Sequence, residues 1–284
     1  MSDPWTDHRP SLFSLAYRLL GSASDANDML QEAHLRWLTK SAEVESPRAW
    51  LEHVVTNLCL DHLKSARVRR ETYVGPWLPE PVATEQSTLN GQPVDPESVS
   101  LAFLALLERL SPLERAVFVL VEAFDYSADE AAQVLGREGS AVRQLLHRAR
   151  EHVREGRPRF APTKEAHLQM LGTFFTAVQS GDVKQVESLL VSDARATTDG
   201  GGRARAALNV VEGANRVARF MIGVSTKQIA GVVYELREIN GWPALVGVLD
   251  GAVVALAQLE TDGERVFSIS TWSNPEKLTA LRVD

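Results

Sequence analysis

Residues 127–150 constrain this chain more than any other stretch of similar length. Two helices can cross closely only under three conditions: a small side chain at the contact, a turn that tolerates positive φ, and an apolar wedge on the second helix. Ala132, Gly136 and Val142 stand at those three places. Ser127, with Glu130 three residues on, supplies a capping box for the first helix. The spacing therefore predicts a helix-turn-helix. With Val142, Leu145, Leu146 and Ala149 turned to a core, the outer face of the second helix carries Ser140, Arg143, Gln144, His147 and Arg148. An arginine fork matches guanine O6 and N7, and a glutamine amide matches adenine N6 and N7, so this face can read a major groove. The plain alternative is a helical hairpin with a solvated basic face. The close-approach spacing and the basic flank favour DNA binding.

Total charge argues against a free-standing DNA binder, because the chain carries a net −7. Its distribution is more informative. Residues 137–159 hold seven arginines against three glutamates, and residues 64–70 hold four basic groups and no acid. Between them, residues 74–97 hold four acids and no base. Two basic clusters split by an acidic stretch bind DNA weakly alone, since phosphate neutralisation supplies most non-specific affinity. Such a balance suits a subunit that reads DNA while a larger partner holds it in place. No run approaches the roughly 20 apolar residues that cross a bilayer, and residues 1–9 lack the apolar core of a signal peptide. A cytoplasmic protein without a membrane partner is expected. The single cysteine, Cys59, excludes an internal disulfide and a Cys-based zinc site, and beside Val55 and Leu58 it reads as a buried thiol. No metal and no cofactor is expected.

With 284 residues and 44% hydrophobic content the chain can fill more than one core. Residues 1–72 are helical by pattern, with Leu12, Leu15, Ala16, Leu19 and Leu20 at helical spacing. Ser24 is the expected cap of a helix beginning at Asp25, and Pro47 opens a long helix to about Arg70. Leu51, Val55 and Leu58 mark its buried stripe; His53, Asn57, Asp61 and Lys64 mark a polar stripe running into Arg67. A polar stripe of this kind suits a DNA strand, although an ordinary surface helix has the same pattern. Residues 73–96 form a proline-rich acidic linker, most of it expected to be extended or mobile, although an exposed Trp77-Leu78 pair would rather dock. Residues 97–156 are helical again, and 164–284 form a separate α+β domain: helices near 165–179, 183–190 and 213–225, then strands near 230–239, 243–249, 253–260 and 265–271. Asp199, Asp250, His167 and Tyr234 are the candidates there for acid or base chemistry. They form no convergent set, so no catalytic residue is assigned and no enzyme is expected.

Several runs carry a family resemblance. Residues 25–37 resemble region 2.2 of the sigma-70 family, residues 47–51 with 56–63 resemble regions 2.3 and 2.4, and residues 110–115 with the helix-turn-helix resemble region 4. In this order, with a short linker, they are similar to extracytoplasmic-function RNA polymerase sigma factors. The resemblance implies two all-α sigma domains, core RNA polymerase and promoter DNA as partners, and a role in initiation. It implies that Asp25, Asp28, Gln31 and Glu32 face the β′ clamp, while region 4 sits on the β flap. Arg48, His53, Asn57, Lys64 and Arg67 would engage the −10 element, and Ser140, Arg143, Gln144, His147 and Arg148 the −35 element. Trp50 is expected in the core.

Trp77-Leu78-Pro79-Glu80-Pro81, the run from Asp199 through Gly200 and Gly201 to Gly202, and Asn274-Pro275-Glu276-Lys277-Leu278 resemble signatures of the sigma subgroup bearing a C-terminal SnoaL-like (NTF2-like) cone domain. The resemblance implies that this domain regulates the sigma regions in cis, without a separate anti-sigma factor. A one-component regulator that senses a ligand and binds its operator without polymerase is the alternative reading.

Overall fold

Side-chain caps decide where most helices of this chain start. The computed structural model describes residues 3–84, 100–156, 162–227 and 230–281. They form two units, one built from residues 3–71 and 100–156, the other from 72–84 and 162–281.

In the first unit, α1 (Pro4–Leu20) starts on the Asp3 carboxylate and ends at Gly21, whose φ of 65° suits glycine. Helix α2 (Ala23–Lys40) is capped by Ser22, which accepts from Asp25 N–H at 3.1 Å, and not by Ser24 as expected. Ser22 has the extended backbone of a cap, whereas Ser24 already lies in the first turn. Helix α3 (Pro47–Glu71) opens on proline, which has no N–H to leave unpaired. After α4 (Leu101–Leu107), two capping boxes follow: Ser111 with Glu114 starts α5 (Pro112–Ala123), and Ser127 with Glu130 starts α6 (Ala128–Leu135). Gly136 at φ 59° ends α6, and α7 (Gly139–Gly156) completes the helix-turn-helix. Leu12, Leu15, Leu19 and Leu20 of α1 are buried with Leu51 and Val55 of α3; α1 also packs on α5, and α3 on α5 and α6. Cys59 is fully buried, and burial pushes its thiol pKa well up. Leu58 and Leu145, expected inside, are only half-buried because each sits at the margin of its helix's apolar stripe.

The second unit contains α8 (Lys164–Ser180), α9 (Val183–Ser188), α10 (Ala214–Ser225) and a six-stranded sheet in the order β2-β1-β6-β5-β4-β3. The strands are β1 (Leu190–Asp199), β2 (Val211–Glu212), β3 (Val233–Ile239), β4 (Trp242–Leu249), β5 (Ala252–Thr261) and β6 (Val266–Trp272). A core of Leu171, Phe174 and Val178 meets Val217 and Met221 of α10 and Ala194, Leu259 and Ile269 of the sheet. Asn240-Gly241 and Asp250-Gly251, all at positive φ, make the two-residue turns between β3, β4 and β5. Strand β1 is a correction to the sequence reading, which carried a helix to Leu190 and placed no strand before the glycines. Its buried residues at mid-strand are the small Ala194 and Ala196, so its alternation is faint, and its parallel partner β6 lies far along the chain.

In the described part of the linker, the proline-rich stretch 76–82 is extended and docked on this unit. Ala83 bridges Ile239, Val82 N–H donates to Asn240 Oδ1 at 2.9 Å, and Trp272 Nε1 donates to the Pro79 carbonyl at 2.8 Å. Prolines remove N–H donors and leave carbonyls to be bound from outside, which such a segment finds on the domain surface. Residues 85–96 of the predicted linker lie outside the described residues.

Candidate nucleic-acid interface and linker site

On α7, Val142, Leu146 and Ala149 are buried, and Ser140, Arg143, Gln144, His147 and Arg148 are all exposed along the opposite face. Acids hold several of these side chains. Arg143 Nη1 lies 2.7 Å from Asp129 Oδ1, Arg148 Nε 3.4 Å from Glu114, and His147 Nε2 3.8 Å from Glu151. Burial tends to raise the Glu114 pKa, but donation from the Ser111 hydroxyl and N–H holds it below the ordinary value.

Along α3, Arg48, His53 and Lys64 are exposed and Asn57 is half-buried. Local bonds occupy them: Arg48 Nε meets Glu52 at 3.0 Å, Asn57 Nδ2 donates to the His53 carbonyl at 3.0 Å, and Lys64 donates to Asp61 at 2.8 Å. The side chain of Arg67 lies outside the described residues. Trp50, expected in the core, is half-buried, its ring tilted 5.8 Å from the buried Trp37. It sits in the first turn of α3, just before the fully buried Leu51.

The α3 stripe also meets the helix-turn-helix. His53 Nδ1 stands 2.6 Å from the Val134 carbonyl of α6, and Tyr126 donates its hydroxyl to Glu52, which is 2% exposed. Burial and the Glu52 carboxylate together raise the Tyr126 phenol well above its ordinary pKa. Arg115, also buried, donates to the Leu19 carbonyl at 2.9 Å and pairs with Glu108. A cleft of about 520 Å³ lies beside these contacts, lined by Arg48, Glu52, His53, Tyr126, Glu130 and Gln133 among others.

Helix α2 exposes Asp28 and Gln31; Glu32 is half-buried and pairs with Arg36 at 3.0 Å, while Asp25 lies 3.3 Å from His62 Nε2. Sequence reasoning missed Leu35 and Leu38, which are 61% and 64% exposed. They extend the Asp28–Gln31 row at helical spacing, and that continuation was the available signal.

In the second unit Asp199 is fully buried at the end of β1. One carboxylate oxygen accepts from the Tyr73 hydroxyl at 2.5 Å; the other accepts from Leu78 N–H at 2.8 Å and Lys277 Nζ at 2.7 Å. Its carbonyl accepts from Ser273 and Asn274 N–H. Lys277 also donates to the Leu78 carbonyl and lies 4.1 Å from the centre of the Trp77 ring, a cation held by an anion and an aromatic face. Asn274 caps α11 (Pro275–Leu278), with Pro275 at its first position, and donates to the Tyr73 hydroxyl at 3.0 Å. Gly201, at φ 56°, leaves room for Asn274 and for the Tyr73 hydroxyl, 2.9 Å from where a Cβ would sit; Gly200 does the same for Ala204 and Ala206. Trp77, Asp199, Gly200, Gly201, Asn274, Pro275 and Lys277 are thus brought together. Tyr73, which sequence reasoning did not single out, belongs with them, and desolvation followed by the Asp199 bond raises its pKa well up. The other three acid/base candidates do not join them: His167 is buried against the Leu259 carbonyl and Trp242, Asp250 is in a turn, and Tyr234 lies on β3.

These features define a transcription initiation factor with an added α+β domain, and the chain belongs to the extracytoplasmic-function RNA polymerase sigma factors. Sigma-70 region 2 matches residues 5–69, and sigma-70, region 4 matches residues 100–153. The sigma factor SigJ of Mycobacterium tuberculosis is 38% identical over 95% of this chain and 91% of its own. The probable sigma factor SigI of that organism is 31% identical over 100% and 97%. The crystal structure of M. tuberculosis SigJ superposes with a TM-score of 0.78 at 33% identity, covering 98% of both chains. The protein directs RNA polymerase to promoters, and the family is one of transcription factors rather than enzymes. That membership disfavours the one-component regulator. No helix among the described residues is long and apolar enough to cross a membrane.

Proposed function

We propose that this sigma factor reads a −35 element with Ser140, Arg143, Gln144, His147 and Arg148, and engages a −10 element with Arg48, His53, Asn57, Lys64 and Arg67. Asp25, Asp28, Gln31 and Glu32, with Leu35 and Leu38, face the β′ clamp of core polymerase in the cytoplasm, and region 4 sits on the β flap. The observation that carries this reading is the exposed polar row on α7 above a buried Val142–Leu146–Ala149 stripe.

Regulation lies within the chain and needs no separate anti-sigma factor. The linker joins two DNA-reading regions that must separate on a promoter. The −35 and −10 elements are about 25 base pairs apart, roughly 85 Å at about 3.4 Å per pair. In the free chain His53 touches the carbonyl of Val134. The Asp199 cluster holds the linker and so limits how far those regions can part.

Run-off transcription with core polymerase tests this reading. The full chain is expected to start transcription at a cognate promoter. Asn274→Ala is expected to change the yield, and Arg143→Ala to alter −35 preference. Unchanged promoter use by both variants would sink it.

A further inference from the structure

We infer that Asp129 is a positioning residue for base recognition, that it buttresses Arg143 for guanine, and that Gly139 is the space which lets it do so. The inference rests on the reading that Arg143 faces the −35 element.

Asp129 lies in the first turn of α6, on the helix that does not enter the groove, and reaches across the turn to Arg143 on the reading helix. The contact, 2.7 Å from Oδ1 to Nη1, engages one terminal nitrogen. A guanidinium has five N–H groups, so the fork keeps donors for guanine O6 and N7. Gly139, the first residue of α7, sits directly beneath. A Cβ there would stand 2.6 Å from Asp129 Oδ1 and 3.2 Å from Arg143 Nη1. No other residue type leaves both side chains where they are.

Stability does not explain the pair. Both side chains are mostly exposed, at 59% and 75%, and exposed ion pairs contribute little. Position does. A long arginine loses rotamer freedom when it docks on a base, and a fork already held in its plane loses less. Once DNA excludes water, the fixed carboxylate acts more strongly on its surroundings. Opposite a base without the two acceptors of guanine, the held fork leaves donors unpaired, which penalises the wrong sequence. Arg148 has a looser acid partner, at 3.4 Å, across a different helix pair.

The test is run-off transcription by the full chain with core polymerase on promoters carrying each base at every −35 position. Arg143→Ala first identifies the position that Arg143 reads. At that position alone, Asp129→Ala and Gly139→Ala are each expected to reduce guanine preference by roughly three- to tenfold. Neither is expected to add to the loss in an Arg143→Ala background. Gly139→Ala separates positioning from folding: the atoms in its way are the far ends of flexible side chains, and alanine suits a helix better than glycine. It is expected to melt at or above the parent temperature while losing base preference. If Arg143→Ala leaves every base preference intact, the assignment of Arg143 to the −35 element fails. If Arg143→Ala flattens one position and Asp129→Ala does not, the buttress is overturned.

Discussion

Lys277 and Asp199, 78 residues apart, form a buried ion pair at 2.7 Å, with the Leu78 carbonyl and the Trp77 ring completing the shell of the ammonium. The pair ties the tail, the end of β1 and the linker to one point. Leaving either charge buried without the other costs roughly 3–5 kcal/mol.

Lys277→Ala is therefore expected to lower the melting temperature of the full chain and to expose residues 72–84 to protease. Asp199→Leu combined with Lys277→Met is expected to cost less than either single change, because no lone buried charge remains. Thermal unfolding and limited proteolysis of Lys277→Ala, the two single changes and the double variant decide it. Equal protease resistance throughout would remove the pair from any role in holding the linker.

Tyr126→Phe leaves the Glu52 carboxylate without its hydroxyl donor and is expected to weaken contact between the two helical regions by roughly 1–3 kcal/mol. Dyes placed on α2 and α7 would report this as lower energy transfer in the free full chain. Unaltered transfer would show that the Tyr126–Glu52 bond does not hold the regions together.

Leu35→Ala and Leu38→Ala are each expected to reduce core polymerase affinity about tenfold, the cost of losing much of one buried leucine in an interface. Both side chains are exposed in the free protein, so melting should shift by less than about 0.5 kcal/mol. Titration with labelled core enzyme provides the measurement.

Glu260 is largely buried, and desolvation raises its pKa even though the Ser268 hydroxyl donates to it at 2.8 Å. A carboxyl whose folded pKa lies above its unfolded value destabilises the fold as pH rises past the ordinary 4.5, where the unfolded chain ionises freely. Glu260→Gln is expected to melt higher than the parent at pH 8, with the difference shrinking toward pH 4. A difference that grows toward acid would reverse the sign and refute the account.

Much of the proposed nucleic-acid face is legible in the sequence because helix periodicity is local. Once Ala132, Gly136 and Val142 fix the crossing, the outward positions of α7 follow from 3.6 residues per turn. The same logic places His53 and Lys64 on the surface of α3. It does not say that His53 would meet the carbonyl of Val134, 81 residues away. Nor does periodicity at α7 reveal Asp129, since the acid lies on another helix and only the fold of the turn brings it to Arg143. Strand β1 escaped notice for a similar reason: its pairing with β6 is parallel and distant, and alanines give little alternation to read.

What the sequence determined by itself were the local things: the Ser127–Glu130 capping box, the hairpin turns, the helix-turn-helix, and the family to which three ordered runs belong. Signals confined to a few residues act through neighbouring backbone, so they survive without knowledge of the fold. What only the tertiary structure decided was where the linker goes and what meets there. Trp77, Asp199 and Lys277 each lie in a run whose resemblance implies regulation, but no local signal says that the carboxylate, the ammonium and the ring would pack on one another. Burying a carboxylate requires donors, burying an ammonium requires acceptors, and a proline-rich segment has carbonyls to offer. Those requirements are met jointly by segments far apart in the chain, and such a match exists only once the sheet has placed them side by side.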